Sequence, residues 1–312
     1  MPELPEVETI RLGLQKYVVG KTIEDVEARL PKMLTGDPKN IIGAKVIDVR
    51  RFGKGLVIDL DNGHSIAIHI KLTGQLIYQD EKVSKVSKVS KGKVGTLPNK
   101  FTHIIFHLEK NAKLYYNDLR QFGWIRIIKS EKLKDQSFFK DLGPEPPVLS
   151  NYSSSVGAIA TESRSLKSKS SPRHLADRTI LTLEVFRQIL SRSNLAIKVL
   201  LMDQKKMSGV GNIYANDALF EAKIDPRRSA KEIRQEETKR LYNAILKVLK
   251  KGLEEGGATE LNFVNVLGQE GGYQDHFLVY GRKKEPCRVC KTPIQKMKLG
   301  GRGTYFCVKC QK

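Results

Sequence analysis

Apolar residues in the first twenty positions recur three and four apart, at Val7, Ile10, Leu14 and Val18, a spacing that predicts one amphipathic helix. Pro5 suits a first helical turn, and Glu3, Glu6 and Glu8 complement the positive end of the helix dipole. From Thr22 to Lys129 the pattern shortens to β-rich runs: Ala44–Arg50, Leu56–Leu60, Ser65–Ile70, Gln75–Tyr78, Thr102–Leu108 and Lys113–Tyr116. Asp61-Asn62-Gly63 joins two of them as a hairpin turn. Short strands at this spacing predict a sandwich or barrel-like sheet. Helical spacing returns between 179 and 256, in Leu183–Ile189, Ala196–Met202, Ala215–Phe220 and Leu241–Leu253. The glycine-rich turn Ser208-Gly209-Val210-Gly211-Asn212 interrupts it, and from Gly281 the sequence is hairpin-like again.

Two stretches break the pattern. Lys82–Gly95 holds three V-S-K units with five lysines and no acid, and reads as a mobile loop. Val148–Asp177 holds nine serines in 30 residues and cannot bury enough apolar surface to offset the entropy of ordering, so it reads as an interdomain linker.

Charge narrows the function classes. The 55 Lys and Arg against 34 Asp and Glu leave a formal +21, a self-repulsion that calls for a polyanion: nucleic acid, an anionic membrane or an acidic substrate. No run of about 18 apolar residues is present, so nothing is expected to span a bilayer. The acidic start does not read as a signal peptide. All four cysteines fall within the last 26 residues, which points to a metal site in a reducing compartment rather than a disulfide framework.

Three constellations carry candidate chemistry. Cys287-x2-Cys290-x16-Cys307-x2-Cys310 places two thiolate pairs on tight turns joined by enough chain for a hairpin. Four such soft ligands suit one structural Zn2+ with no open catalytic position, the alternative being disulfides or a redox pair. At the other end, removal of Met1 would leave Pro2 as a secondary amine, a nucleophile able to attack an electrophilic carbon and collapse to an iminium ion. Glu3 could then donate a proton and Glu6 hold the amine or a water, although acids with proline in a first helical turn also serve simply as dipole complements. The third is Gly209-Val210-Gly211-Asn212-Ile213-Tyr214-Ala215, where glycines would let a phosphate approach a helix N-terminus, or would only permit close packing.

These stretches join a series running through the chain. It begins with P-E-L-P-E-V-E-T from Pro2 to Thr9, then R-R-F-G-K at 50–54 and H-I-K-L-T-G at 69–74. D-L-R-Q-F-G at 118–123, the G-V-G-N-I-Y-A turn, V-Y-G-R at 279–282 and the four cysteines complete it. In this order the series resembles the bacterial formamidopyrimidine-DNA glycosylase family, and its oxidised-purine branch more than the pyrimidine-specific endonuclease VIII branch.

The resemblance implies an α+β fold in two domains, a β-sandwich flanked by helices and a helix–two-turn–helix domain with a zinc-binding β-hairpin, with DNA in a basic cleft. It implies a catalytic sandwich at 1–145, the Ser-rich linker at 146–178, the helical DNA-binding domain at 179–256, a lesion-covering loop and connection at 257–280 and the finger at 281–312. Carried over, Pro2 would attack C1′ and form a Schiff base, with Glu3 the proton donor and Glu6 its support. Lys54 would bind phosphate and serve β-elimination, and Arg302 would grip phosphate and serve δ-elimination. His69 and Asn212 would contact the DNA backbone, and Leu72, Arg120 and Phe122 would fill the gap left by a flipped nucleotide. The expected partner is double-stranded DNA carrying oxidised bases or abasic sites, met by a cytoplasmic monomer. A silent, zinc-containing lesion binder is the competing class, and intact Pro2, Glu3 and Lys54 argue against it. Departures fall on DNA contacts rather than chemistry: Leu72 stands where the family has Met, Gln121 where it has Arg, and Phe101 interrupts a K-H-x-H segment.

Overall fold

The computed structural model describes residues 1–82, 94–147, 180–260 and 262–312. The V-S-K repeats and the Ser-rich stretch lie outside them. Contacts divide the chain into two compact units, Met1–Lys140 with Lys251–Phe277, and Asp141–Lys250 with Leu278–Lys312.

In the first unit, helix α1 (Leu4–Tyr17) begins at N-cap Glu3, with Pro5 in its first turn. Its apolar stripe of Leu4, Val7, Ile10 and Leu14 is fully buried, each side chain contributing about 1.5–3 kcal/mol. Strands β1 (Ile23–Ala28), β2 (Leu34–Thr35), β3 (Val46–Phe52), β4 (Gly55–Leu60) and β5 (His64–His69) follow. Then come β6 (Gly74–Gln79), β7 (Thr102–Leu108), β8 (Ala112–Asp118), β9 (Trp124–Lys129) and the short helix α2 (Ser137–Lys140). They form a four-stranded sheet in the order β1-β7-β8-β6 and a five-stranded sheet in the order β2-β9-β5-β4-β3. Pairing is antiparallel except between β2 and β9. One apolar cluster joins Ile58, Ile66 and Ile68 of one sheet to Leu76, Phe106 and Tyr116 of the other, with Ile10 and Leu14 of α1, so the two sheets are a sandwich.

All six strands read from the sequence are present. β1, β2 and β9 are additional, and β1 escaped notice because its I-E-D-V-E-A run carries three acids on an exposed edge. The segment after residue 256 belongs to this unit through packing: Phe263 and Val266 enter the same core, and the Tyr78 N–H donates to the Val266 carbonyl at 2.7 Å.

The second unit contains α3 (Leu183–Ser191), α4 (Ile197–Leu201), α5 (Asn212–Glu221), most of α6 (Gln235–Glu254), and a hairpin of β10 (Gln295–Leu299) and β11 (Arg302–Phe306). Among the described residues no helix is long and apolar enough to cross a membrane.

Candidate active site

Pro2 and Glu3 are buried at the entrance to α1. Glu6, on the first turn, accepts the Glu3 backbone N–H at 2.7 Å through one oxygen and the Ala258 N–H at 2.8 Å through the other. Its carboxylate therefore clamps the chain immediately after Pro2 to the 256–259 segment. Gly257 makes the clamp possible: its φ is +87°, and a Cβ there would lie 2.9 Å from Glu6 Cγ.

Glu8, which the sequence credits only with a dipole role, is a buried junction. It pairs with Arg11 at 2.7 Å and with Arg51 at 2.8 Å, and Arg51 donates to the Gly53 carbonyl at 2.9 Å. Helix α1 is thereby tied to the two-residue turn between β3 and β4. Gly53 takes φ +57° there, and Lys54 follows it, only 4% exposed.

His69 ends β5, its ring 4.8 Å from Phe138 and 5.9 Å from Trp124. Burial, then the charges of Lys71 and Lys54, lower its pKa to about 3, so the imidazole is neutral. Nδ1 accepts the Lys71 N–H at 3.0 Å, which leaves the proton on Nε2. His69 is thus an uncharged donor that feels the charges of two lysines.

Leu72, Arg120 and Phe122 sit on the two loops that follow β5 and β8. Phe122 is 53% exposed and Leu72 half-buried, so neither is the core residue that their hydrophobicity alone would imply. The Arg120 guanidinium lies 4.9 Å from the centre of the Phe122 ring.

In the second unit, the glycine turn is braced from within. Gln204 accepts the Gly209 N–H at 2.9 Å and donates to the Met202 and Val210 carbonyls at 2.9 and 2.7 Å. α5 then opens at Asn212 behind N-cap Gly211, which has no side chain to cap the first-turn amides. Three residues to which the sequence assigned no role hold the remainder. Asn216 accepts the Tyr305 N–H at 2.7 Å, and Asp217 accepts the amides of Leu278, Val279 and Tyr280 at 3.1, 3.0 and 3.1 Å. Lys198, fully buried, donates to the Gly303 carbonyl and to Thr304 Oγ1 at 3.2 and 2.9 Å. Arg302 follows Gly300-Gly301, whose φ values of +55° and +75° make a type I′ turn. A Cβ on Gly300 would lie 2.8 Å from Val199, so the turn rests against α4 while Arg302 is exposed.

The four cysteine sulfurs lie within 4.8 Å of one another, with Cys287–Cys310 at 3.8 Å and Cys290–Cys307 at 3.4 Å. Zinc–sulfur bonds of about 2.3 Å in a tetrahedron need sulfurs roughly 3.8 Å apart, so the set fits one zinc ion with its shell closed. Burial raises the Cys307 thiol, and the Thr292 hydroxyl draws Cys290 down to about 6.

Three family models match successive parts of the chain. That of the formamidopyrimidine-DNA glycosylase N-terminal domain matches residues 1–125, that of the H2TH domain 175–263, and that of the zinc finger found in FPG and IleRS 284–312. The formamidopyrimidine-DNA glycosylase of Listeria monocytogenes is 37% identical over the full length of both chains, and that of Streptococcus mutans 35%. The MutM (Fpg) structure from Thermus thermophilus superposes with a TM-score of 0.78 at 31% identity, covering 99% of this chain and 98% of that one. Lactococcus lactis Fpg, in complex with DNA containing N7-benzyl-Fapy-dG, gives 0.79 at 28% identity over all of both chains. Further structures of the L. lactis protein hold DNA with an abasic site or an oxidised pyrimidine. Matched from end to end, the chain belongs to the formamidopyrimidine-DNA glycosylase family.

Proposed function

We propose that the protein is a bifunctional DNA glycosylase and abasic-site lyase that excises oxidised purines, such as 8-oxoguanine and formamidopyrimidines, from duplex DNA. The observation that carries this reading is the anchored N-terminus: Pro2 and Glu3 are consecutive and buried, with the chain directly behind them clamped by Glu6. Once Met1 is removed, the Pro2 nitrogen is a secondary amine held at a fixed place. Its lone pair attacks C1′, the base leaves with the electrons of the glycosidic bond, and the proton shed by the nitrogen neutralises the departing base. Glu3 protonates the ring oxygen as the C1′–O4′ bond breaks, leaving an iminium ion. Loss of a C2′ proton then expels the 3′ phosphate, δ-elimination expels the 5′ phosphate, and water regenerates the amine. Lys54 and the neutral donor His69 bind phosphate in the first unit. Asn212, at the start of α5, and Arg302 do so in the second. Zinc maintains the hairpin that carries Arg302, inside a cytoplasm that keeps its thiols reduced.

Borohydride tests the reading, because it reduces an iminium to a stable crosslink. Protein shown by mass spectrometry to begin at Pro2 is expected to be trapped on 8-oxoguanine duplex and on abasic DNA. Absence of a crosslink on both would leave only a lesion-binding protein. The oxidised-pyrimidine complex of the L. lactis relative supports a second reading. Faster trapping on pyrimidine lesions than on 8-oxoguanine would favour it.

A further inference from the structure

Leu72 and the Arg120–Phe122 pair reach the surface on different loops. The first loop passes from β5 of the five-stranded sheet to β6 of the four-stranded one, and the second returns from β8 to β9. Each crosses between the sheets, and the Thr73 side chain bonds the first loop to the second. Its hydroxyl donates to Asp118 Oδ1 and accepts the Arg120 backbone N–H at 2.9 Å, an N–H that Asp118 Oδ1 also accepts at the longer 3.2 Å. Asp118 is fully buried, and its other oxygen accepts the Gly123 N–H at 2.8 Å. Gly123 is required there, since a Cβ would fall 1.8 Å from the Tyr116 hydroxyl.

We propose that the Thr73 hydroxyl is a latch that holds Leu72, Arg120 and Phe122 as one preset unit, and that discrimination of the base opposite the lesion depends on this latch. The inference rests on the excision reading above. A wedge must enter as the nucleotide leaves, and Arg120 must meet the orphaned base at a fixed angle to distinguish one base edge from another. Two loops ordered separately would lose entropy at that moment, whereas two loops already joined do not. Valine has the shape of threonine but neither donates nor accepts, so it opens the latch while each loop keeps its own ends. Thr73 is therefore a positioning residue.

The test compares Thr73→Val and Thr73→Ser with wild type in single-turnover excision from 8-oxoguanine duplexes carrying cytosine or adenine opposite. A single-stranded abasic oligonucleotide, which has no stack to fill and no orphaned base, is trapped with borohydride in parallel. Thr73→Val is expected to slow duplex excision by about tenfold, the scale of a small loss of orientation. It should also move the cytosine-to-adenine ratio toward one while single-stranded trapping stays at the wild-type level. Thr73→Ser keeps the hydroxyl and should keep the ratio. Thr73→Ala repeats the test should valine disturb packing. An unchanged ratio in the hydroxyl-free variants overturns the latch, as does an equal loss of single-stranded trapping, which would be general damage. Wild-type protein trapped on neither DNA would instead defeat the excision reading on which the latch depends.

Discussion

At the scale of single residues, three buried carboxylates collect backbone amides. Glu6 takes two, Asp118 at least two and Asp217 three. The long-range part was not legible in the sequence: Glu6 meets Ala258 across 252 positions and Asp217 reaches Leu278, Val279 and Tyr280 across 61, 62 and 63, whereas the amides on Asp118 are local. What sequence could read was residue type and spacing, which placed the thiol ligands and singled out Pro2 and Glu3. His69 lends itself to a prediction at this scale. Its folded pKa of about 3 lies below the ordinary 6.5, so between those values the unfolded chain takes up a proton that the folded chain refuses. Its contribution to stability is therefore constant above pH 6.5 and is lost as pH falls toward 3. His69→Gln removes the titrating group. Urea unfolding of both proteins should give a stability difference that is flat from about pH 7 to 8. Below 6.5 the difference should move against wild type, by at most about 1.4 kcal/mol per pH unit. A difference independent of pH would mean that His69 is not held neutral.

At the scale of elements, periodicity found the strands and helices with strong apolar alternation and missed those whose burial is partial or whose length is small. β2 has two residues and α2 four, too few for any period to emerge. The C-terminal hairpin was legible for another reason, since the spacing of its cysteines is a chemical constraint rather than a hydropathy pattern. Its stability depends on the metal: β10 and β11 expose much of their surface, and the small apolar cluster beneath them includes Cys287 and Cys307 themselves. Gln311 extends the dependence by accepting the Cys307 N–H and donating to the Ile224 carbonyl, both at 2.9 Å. Cys307→Ser should therefore release zinc, measured as metal content, and weaken DNA binding by at least about tenfold through disorder at Arg302. The amides of β3 and β4, which belong to the other unit, should keep their protection from hydrogen exchange. Loss of that protection would show that the units do not fold independently of the metal.

At the scale of the whole molecule, the division into units was partly hidden, because both are discontinuous. Residues 251–277 lie between second-unit segments in sequence yet pack with the first, through Phe263 and Val266. Charge, by contrast, was legible from composition and is unevenly placed. Of the net +21, residues 281–312 carry +9, ten basic residues against Glu285. The five lysines from Lys82 to Lys93 add a second concentration, outside the stretches that carry the family resemblance. Neutralising about five phosphates would give a slope of roughly −4 to −5 for log K against log salt, and each contact removed should reduce it by about 0.9. Replacing Lys82, Lys85, Lys88, Lys91 and Lys93 with glutamine keeps the length of the chain and tests whether this insert touches DNA. Direct contacts predict a slope shallower by one to several multiples of about 0.9, with excision rate at saturating enzyme unchanged. An unchanged slope would confine phosphate neutralisation to Lys54, Arg302 and the other placed groups, leaving the insert outside the DNA interface.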